Sequence, residues 1–137
     1  MSGYVPIDLR RQVTARANGR CEYCRFPEYA TFLGCQVDHV RPEKHGGETV
    51  FENLALACVF HNRFKGSDVA SIAAETGEVV RLFDPRTDRW ADHFRPLEAS
   101  LKGVSSVGSV TVNLLRMNAE ERLRERRLLL ASGERWP

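Results

Sequence analysis

The sequence predicts a small α+β protein, with a strand–loop–strand–helix unit near the N-terminus and a mainly helical C-terminal part. Two apolar runs, FLGCQVDHV and NLALAC, flank a glycine-rich loop, and VFHNRFKG follows the second run at once. The equal two-residue gaps in CEYC and CVFH are typical of metal-binding turns. The 137 residues, 42% hydrophobic and 28% charged, fit one domain over residues 1–137.

The first predicted element is a helix over residues 6–18, where Pro6 suits a first turn and Asn18-Gly19 favours an end. CEYC follows at a helix-to-turn junction. The run FLGCQVDHV predicts a strand because it is rich in β-branched and aromatic residues, and the loop EKHGGET closes it. NLALAC predicts a second strand, and VFHNRFKG predicts a short helix that ends at Gly66.

Beyond Gly66 the sequence predicts a helix, a turn at Thr76-Gly77 and a strand at EVVRLF. A loop is predicted through DPRTDRWADHFRP. GVSSVGSVTV indicates another strand or turn, and helices are predicted over residues 109–117 and 119–131.

Charge and cysteine content limit the class of protein. The net charge of +2 is too small to prove a nucleic-acid partner. MSGYVPIDLRR lacks the apolar run of a signal peptide, and no apolar stretch is long enough to span a bilayer. We therefore expect a cytoplasmic protein with no membrane partner, whose four cysteines indicate a metal site before disulfides.

Two arginine clusters can contact phosphates, although a solvated helix face explains such clusters equally simply. The C-terminal cluster has interleaved glutamates, which favours the simpler interpretation. The N-terminal cluster comprises Arg10, Arg11, Arg16, Arg20 and Arg25.

The paired gaps predict one zinc site with Cys21, Cys24, Cys58 and His61 as ligands. The alternative is that the first two cysteines are ordinary turn residues, the third is a small buried side chain and the histidine is incidental. Two matching gaps argue against that alternative. Cys35 has no partner at ligand spacing and is predicted to be a core residue.

A second constellation contains Asp38, His39, Asn53 and Asn62. Asp38 and Asn62 offer the hard oxygen ligands that Mg²⁺ prefers, and His39 can accept a proton near neutral pH. Asn53 could accept a hydrogen bond from the imidazole and fix its tautomer. Taken singly, each residue has a structural explanation, such as a turn cap at Asp38 or a loop role for Asn53.

CEYC, VDHVRPEKHGGET, ENLALAC and HNRFKG, in this order and spacing, resemble the HNH endonuclease family, whose core is the ββα-metal (His-Me finger) motif. The motifs cover residues 21–66, and residues 67–137 form a C-terminal extension similar to the tail of small bacterial and cyanobacterial HNH proteins. The family usually has a cysteine where His61 stands. The resemblance implies His39 as general base, Asn53 as its orienting partner, and Asp38 and Asn62 as ligands of Mg²⁺ or another divalent cation.

The resemblance implies a metal-dependent endonuclease that hydrolyses phosphodiester bonds in nucleic acid, DNA in the first instance, and leaves a 5′-phosphate and a 3′-hydroxyl. A zinc-stapled nucleic-acid-binding module without activity is the alternative, and a zinc-bearing interaction domain is a third. Arg41, Arg63 and Lys65 are candidate phosphate contacts, with simple solubility as an equal alternative. His45 and His93 are predicted to be structural. The oligomeric state does not follow from the sequence.

Overall fold

The computed structural model describes residues 4–137, so residues 1–3, where the predicted domain begins, lie outside it. The predicted α+β class is confirmed: within the described residues, four α-helices accompany three two-stranded antiparallel sheets. The helices are α1 (Ile7–Arg16), α2 (Val59–Lys65), α3 (Ser106–Leu114) and α4 (Glu120–Ala131). The strands are β1 (Cys35–His39), β2 (Leu54–Cys58), β3 (Ala70–Ile72), β4 (Val79–Arg81), β5 (Phe94–Leu97) and β6 (Ser100–Gly103).

Helix α1 is slightly shorter than predicted. Pro6 lacks an N–H and precedes the first turn, where its carbonyl accepts the hydrogen bond of Arg10 N at 3.0 Å. The chain leaves the helix through Asn18 and Gly19, both left-handed at φ 54° and 68°. Val13 is the fully buried residue of this helix, and α1 packs on β2.

The region between residues 35 and 66 follows the predicted order of strand, loop, strand and helix. β1 pairs with β2 so that Asp38 lies opposite Ala55 and His39 opposite Leu54. All five residues of β2 are buried, which explains why LALAC is a continuous apolar run. α2 begins directly after β2, at Val59, and ends where Gly66 adopts φ 51°.

The predictions for residues 67–112 are partly wrong. The helix predicted after Gly66 is instead β3, since Ala70–Ile72 pairs with β4 and this pairing overrides the local helical preference of the alanines. The strand or turn predicted at GVSSVGSVTV is largely α3, which Ser105 caps by accepting a hydrogen bond from Gly108 N at 2.9 Å. Part of the predicted loop through residues 84–96 belongs to the hairpin β5–β6.

Two glycines explain how α3 lies so close to that hairpin. A Cβ on Gly108 would lie 1.9 Å from His93 O, and one on Gly103 would lie 2.3 Å from Ser109 N. Only glycine permits these approaches. The C-terminal extension therefore contains two hairpins as well as the two helices, and it is less helical than predicted.

The last residues return to the N-terminal half. α4 matches the predicted helix closely, and its Glu125 accepts a hydrogen bond from Phe32 N at 2.7 Å. Trp136 is buried, and its indole N–H donates to Cys24 O at 2.9 Å. The C-terminal segment thus packs directly on the CEYC turn.

Candidate active site and metal centre

The CEYC turn is held by backbone hydrogen bonds. Cys21 N donates to Phe26 O at 2.9 Å, and Arg25 N donates to Cys21 O at 2.8 Å. Cys24 N also donates to Cys21 Sγ at 3.4 Å. These contacts direct both thiols of the turn towards the same point.

The end of β2 and the first turn of α2 supply the other two donors, Cys58 and His61. Their ligand atoms and those of Cys21 and Cys24 all lie within 4.8 Å of one another. Cys24 Sγ is 3.6 Å from Cys58 Sγ, and Cys21 Sγ is 3.9 Å from His61 Nδ1. Four ligands at tetrahedral zinc distances are about 3.5–3.8 Å apart, so this group fits a zinc ion.

Burial makes the fit chemically specific. The four side chains are between 0% and 3% exposed, and His61 Nε2 is buried without a hydrogen-bond partner within the described residues. All four cysteines of the chain are free thiols, so no disulfide explains the cluster. A buried imidazole among three thiols, held by no other polar group, is the donor set of a closed metal site.

The thiols do not ionise equally without a cation. Burial raises the pKa of Cys21 well above its ordinary value, and hydrogen bonding to Cys21 and Cys24 does the same to the pKa of Cys58. Burial also opposes ionisation of Cys24, but hydrogen bonds from Cys21 and Cys58 and the nearby His61 outweigh it and lower its pKa. A divalent cation would supply the charge needed to ionise all three thiols.

A second candidate site lies at the end of β1. Asp38, His39 and Asn62 border one cleft of about 360 Å³, together with residues of the loop after β1 and of the α2 C-terminus. The three residues therefore lie on one cleft, whereas Asn53, the fourth member of the second constellation, does not border it. The Asp38 carboxylate contacts Tyr23 and Lys65, whereas the His39 imidazole contacts Thr49.

The Asp38 carboxylate is only 4% exposed, and two donors hold it. The Tyr23 hydroxyl donates to Oδ2 at 2.7 Å, and Lys65 Nζ donates to Oδ1 at 3.2 Å. Burial raises the pKa of Asp38 above its ordinary value, while Lys65 and the Tyr23 hydrogen bond oppose the rise. A carboxylate has about four acceptor positions, so these donors leave room for a further ligand.

Lys65, a candidate phosphate contact with solubility as the equal alternative, points into the protein instead of to solvent. Lys65 is 2% exposed, and its ammonium also donates to the carbonyl oxygens of His39 and Val40, at 3.1 and 3.4 Å. An unpaired buried charge is costly, so the ion pair with Asp38 is what permits the Lys65 ammonium to be buried. Arg63 and Arg41 remain exposed, although Arg41 Nε donates to His45 O at 2.7 Å.

His39 is held by a loop hydroxyl. Its Nε2 lies 2.8 Å from Thr49 Oγ1, and the side chain borders the cleft while being 5% exposed. A hydroxyl can donate or accept, so this contact permits either imidazole tautomer.

The expected hydrogen bond from the His39 imidazole to Asn53 is not formed. The Asn53 amide N donates to Arg41 O at 3.0 Å and to Glu48 O at 2.8 Å, while its Oδ1 accepts from Arg41 N at 2.9 Å. Both N–H groups and the oxygen of the side-chain amide thus help to close the loop that carries Thr49. Asn53 is connected to His39 through that loop.

Asn62 also borders the cleft. Its amide N donates to Gln36 Oε1 at 2.9 Å, and no donor within the described residues contacts its Oδ1. A carboxylate and an amide oxygen on one cleft are the kind of donors that Mg²⁺ accepts. Lys65 already pairs with the Asp38 carboxylate, and its positive charge repels a bound cation. The oxygen donors therefore suit Mg²⁺, whereas the net charge around them is less negative than a Mg²⁺ site needs.

The remaining histidines have structural contacts, as predicted. His45 is exposed, and its Nε2 lies 3.0 Å from Ser67 O. His93 Nδ1 lies 2.6 Å from Ser105 Oγ, and its ring packs edge-on against Phe83. Cys35 is buried in β1, directly opposite Cys58.

Sequence reasoning missed two site residues, Tyr23 and Thr49. Tyr23 lies between the predicted zinc ligands Cys21 and Cys24, and a phenol hydroxyl buried there needs a hydrogen-bond partner. Its position in the sequence therefore could have predicted a polar contact. Thr49 carried no such signal, since it lies in an irregular loop.

Comparison with known proteins supports the resemblance found in the sequence. Residues 21–67 match the family model described as HNH endonuclease. This segment contains the four candidate zinc ligands and the second constellation. The matching segment spans less than half of the 137 residues. The searches of curated proteins and of solved structures return no match. No helix of the described residues is long and apolar enough to cross a membrane.

Proposed function

We propose that this chain is a metal-dependent endonuclease that hydrolyses phosphodiester bonds in DNA. The observation that carries the proposal is the meeting of Asp38, His39 and Asn62 on one cleft, within a segment that matches the HNH family. The family acts on nucleic acid, which gives the substrate class.

His39 is the general base in this proposal. The Thr49 contact fixes the ring at the edge of the cleft, where it can take a proton from a water molecule that attacks phosphorus. Asn53 is a positioning residue, because its three hydrogen bonds shape the loop that presents Thr49.

Asp38 and Asn62 would hold Mg²⁺ or another divalent cation. A bound cation there would stabilise negative charge on the phosphate and on the leaving oxygen. Tyr23 and Lys65 orient Asp38 towards this task, and the exposed Arg41 and Arg63 remain candidate phosphate contacts.

We assign the zinc a structural role. Bound to Cys21, Cys24, Cys58 and His61, it would join the turn after α1 to the β1–β2–α2 unit, which is the ββα-metal core in this proposal. A contiguous hydrophobic core that includes Val13, Leu56, Leu101 and Trp136 supports a single domain over residues 1–137. A cytoplasmic location remains a prediction from the sequence.

A second candidate is a nucleic-acid-binding module that lacks activity. The Lys65–Asp38 ion pair favours it, because the carboxylate already has a cationic partner. The two candidates share the zinc site and differ in the need for a divalent cation at Asp38.

The test is cleavage of plasmid DNA and of single-stranded oligonucleotides by zinc-loaded protein, with and without added Mg²⁺. We expect Mg²⁺-dependent cleavage and a loss of about a hundred- to ten-thousand-fold in His39→Ala, with zinc content and nucleic-acid binding retained. His45→Ala is the matched control, since His45 does not border the cleft. Binding without cleavage under every divalent cation would support the inactive module instead.

A further inference from the structure

Four arginines line a second cleft, which also includes Cys21 of the CEYC turn. This cleft, called here the arginine cleft, has a volume of about 450 Å³. It is lined by Arg16, Arg20, Arg25 and Arg135, with Glu22, Asp88 and Trp90 among its other residues. None of these residues borders the cleft at His39.

The acidic residues of the arginine cleft are engaged by other partners. Glu22 is paired with Arg86 and accepts a hydrogen bond from Leu56 N at 2.9 Å. Asp88 accepts two hydrogen bonds from Arg81, at 2.7 and 3.1 Å. Neither Arg86 nor Arg81 lines the arginine cleft, so both carboxylates are neutralised from outside it.

The four arginines, in contrast, have no carboxylate within 4.0 Å in the described part of the chain. Arg20 donates to Arg25 O at 2.9 Å, and the Arg25 guanidinium lies 4.9 Å from the centre of the Trp90 ring. Arg16 donates to the carbonyl oxygens of Phe51 and Leu54. These contacts hold the guanidinium groups of Arg16, Arg20 and Arg25 in place, and none of them supplies a negative charge.

Burial is the main cause that lowers the pKa of two of these arginines, Arg16 and Arg25. Burial lowers the pKa of Arg16, and Arg86 lowers it further, although Glu22 and Glu52 oppose the change. Burial likewise lowers the pKa of Arg25, with Glu22 opposing and Arg20 adding to the effect. A bound anion would stabilise the charged form of these partly buried guanidinium groups.

We propose that the arginine cleft binds the phosphodiester backbone of nucleic acid, as a second contact surface beside the cleft at His39. Guanidinium groups match the geometry of phosphate oxygens, and several fixed guanidiniums in one groove suit a chain of phosphates better than one small anion. The choice of nucleic acid as the polyanion rests on the proposed function.

The test removes two cleft charges that have the fewest structural contacts. Arg20→Gln/Arg135→Gln is combined with His39→Ala, and binding of labelled duplex and single-stranded oligonucleotides is followed by fluorescence anisotropy over a range of salt concentrations. We expect affinity to fall about ten-fold and the slope of log K against log salt to shrink by about 1.5–2, as two lost phosphate contacts require.

Two further variants separate this effect from general charge and from misfolding. Arg95→Gln/Arg124→Gln removes the same charge from exposed positions outside the cleft and should bind as the parent does. Arg20→Lys/Arg135→Lys keeps the charge and should keep the salt slope. Thermal unfolding should give equal midpoints for all three pairs.

Equal losses in the cleft pair and the control pair would overturn the proposal, as would the absence of nucleic-acid binding by the parent. Binding of inorganic phosphate alone, lost in the Gln pair, would overturn the choice of nucleic acid. The two proposals can fail separately. If the wild-type protein does not cleave, the nuclease proposal fails, but a selective loss of binding in Arg20→Gln/Arg135→Gln still supports the arginine cleft. If the wild-type protein cleaves and Arg20→Gln/Arg135→Gln binds nucleic acid as the parent does, the nuclease proposal stands and the arginine-cleft proposal fails.

Discussion

The hydroxyl of Tyr23, which lies between two zinc-ligand candidates, donates a hydrogen bond of 2.7 Å to the carboxylate of Asp38 in the cleft. Both side chains are almost fully buried, Tyr23 at 1% exposure and Asp38 at 4%. One hydrogen bond therefore connects the CEYC turn, which carries two of the candidate zinc ligands, with the carboxylate proposed to hold the catalytic cation. Displacement of the turn would displace the donor.

Tyr23→Phe should weaken the cation site while it leaves the zinc cluster intact. The Tyr23 hydrogen bond lowers the pKa of Asp38, so its removal should raise that pKa further above the ordinary value. The carboxylate then binds a proton in place of a cation over a wider pH range. We expect the half-saturating Mg²⁺ concentration for cleavage to rise about ten-fold, the size of one hydrogen bond to a charged group.

The sign of the pH effect follows from the same shift. Protonation of Asp38 increases as pH falls, so the deficit of Tyr23→Phe should be larger at about pH 6 than at about pH 8. Mg²⁺ binding by calorimetry with the non-cleaving His39→Ala protein gives an independent measurement. Tyr29→Phe, an exposed phenol, is the control. An unchanged Mg²⁺ requirement in Tyr23→Phe would disprove the coupling.

Lys65→Met should destabilise the protein strongly. Lys65 and Asp38 are 2% and 4% exposed, and loss of the ammonium leaves a buried carboxylate without its ion pair. Removing one partner of such a pair costs about 3–5 kcal/mol, to be measured by denaturant unfolding. Arg63→Met on the same helix should change stability by less than about 0.5 kcal/mol. A phosphate-binding lysine would give the opposite result, with weaker nucleic-acid binding at unchanged stability.

The sequence predicts those parts of the site that depend on local signals. The ligand gaps around Cys21 and Cys58 and the glycine-rich loop fix the order of β1, β2 and α2 with little help from distant residues. The hairpin β5–β6 was not predicted, because its strands are short and polar and are stabilised by packing under α3. The direction of Lys65 was also beyond the sequence, since helical spacing alone does not reveal which residues of α2 face Asp38.

Asn53→Ala should loosen the loop between β1 and β2. The change removes three hydrogen bonds to backbone atoms of Arg41 and Glu48, each contributing about 0.5–1.5 kcal/mol. Hydrogen exchange should accelerate across residues 41–50, and cleavage should fall because Thr49 no longer holds His39. Thr49→Val, which keeps the loop, should lower cleavage without faster exchange. Fast cleavage by a loosened Asn53→Ala protein would exclude the positioning role.

Cys58→Ser should remove zinc and with it much of the folded state. The thiol is 3% exposed and lies 3.6 Å from Cys24 Sγ, so its replacement breaks a closed donor set whose metal-binding free energy contributes directly to folding. Metal analysis should find one zinc per wild-type chain and less in the variant, whose circular dichroism should show loss of structure.

Cys35→Ser is the matched control, because Cys35 is also buried and pairs with Cys58 across the sheet, yet it lies outside the donor set. We expect it to retain zinc at a cost of about 1–2 kcal/mol for a buried hydroxyl. A well-folded Cys58→Ser protein with stoichiometric zinc would show that the cluster is not the zinc site, and zinc loss in Cys35→Ser would move Cys35 into the ligand set.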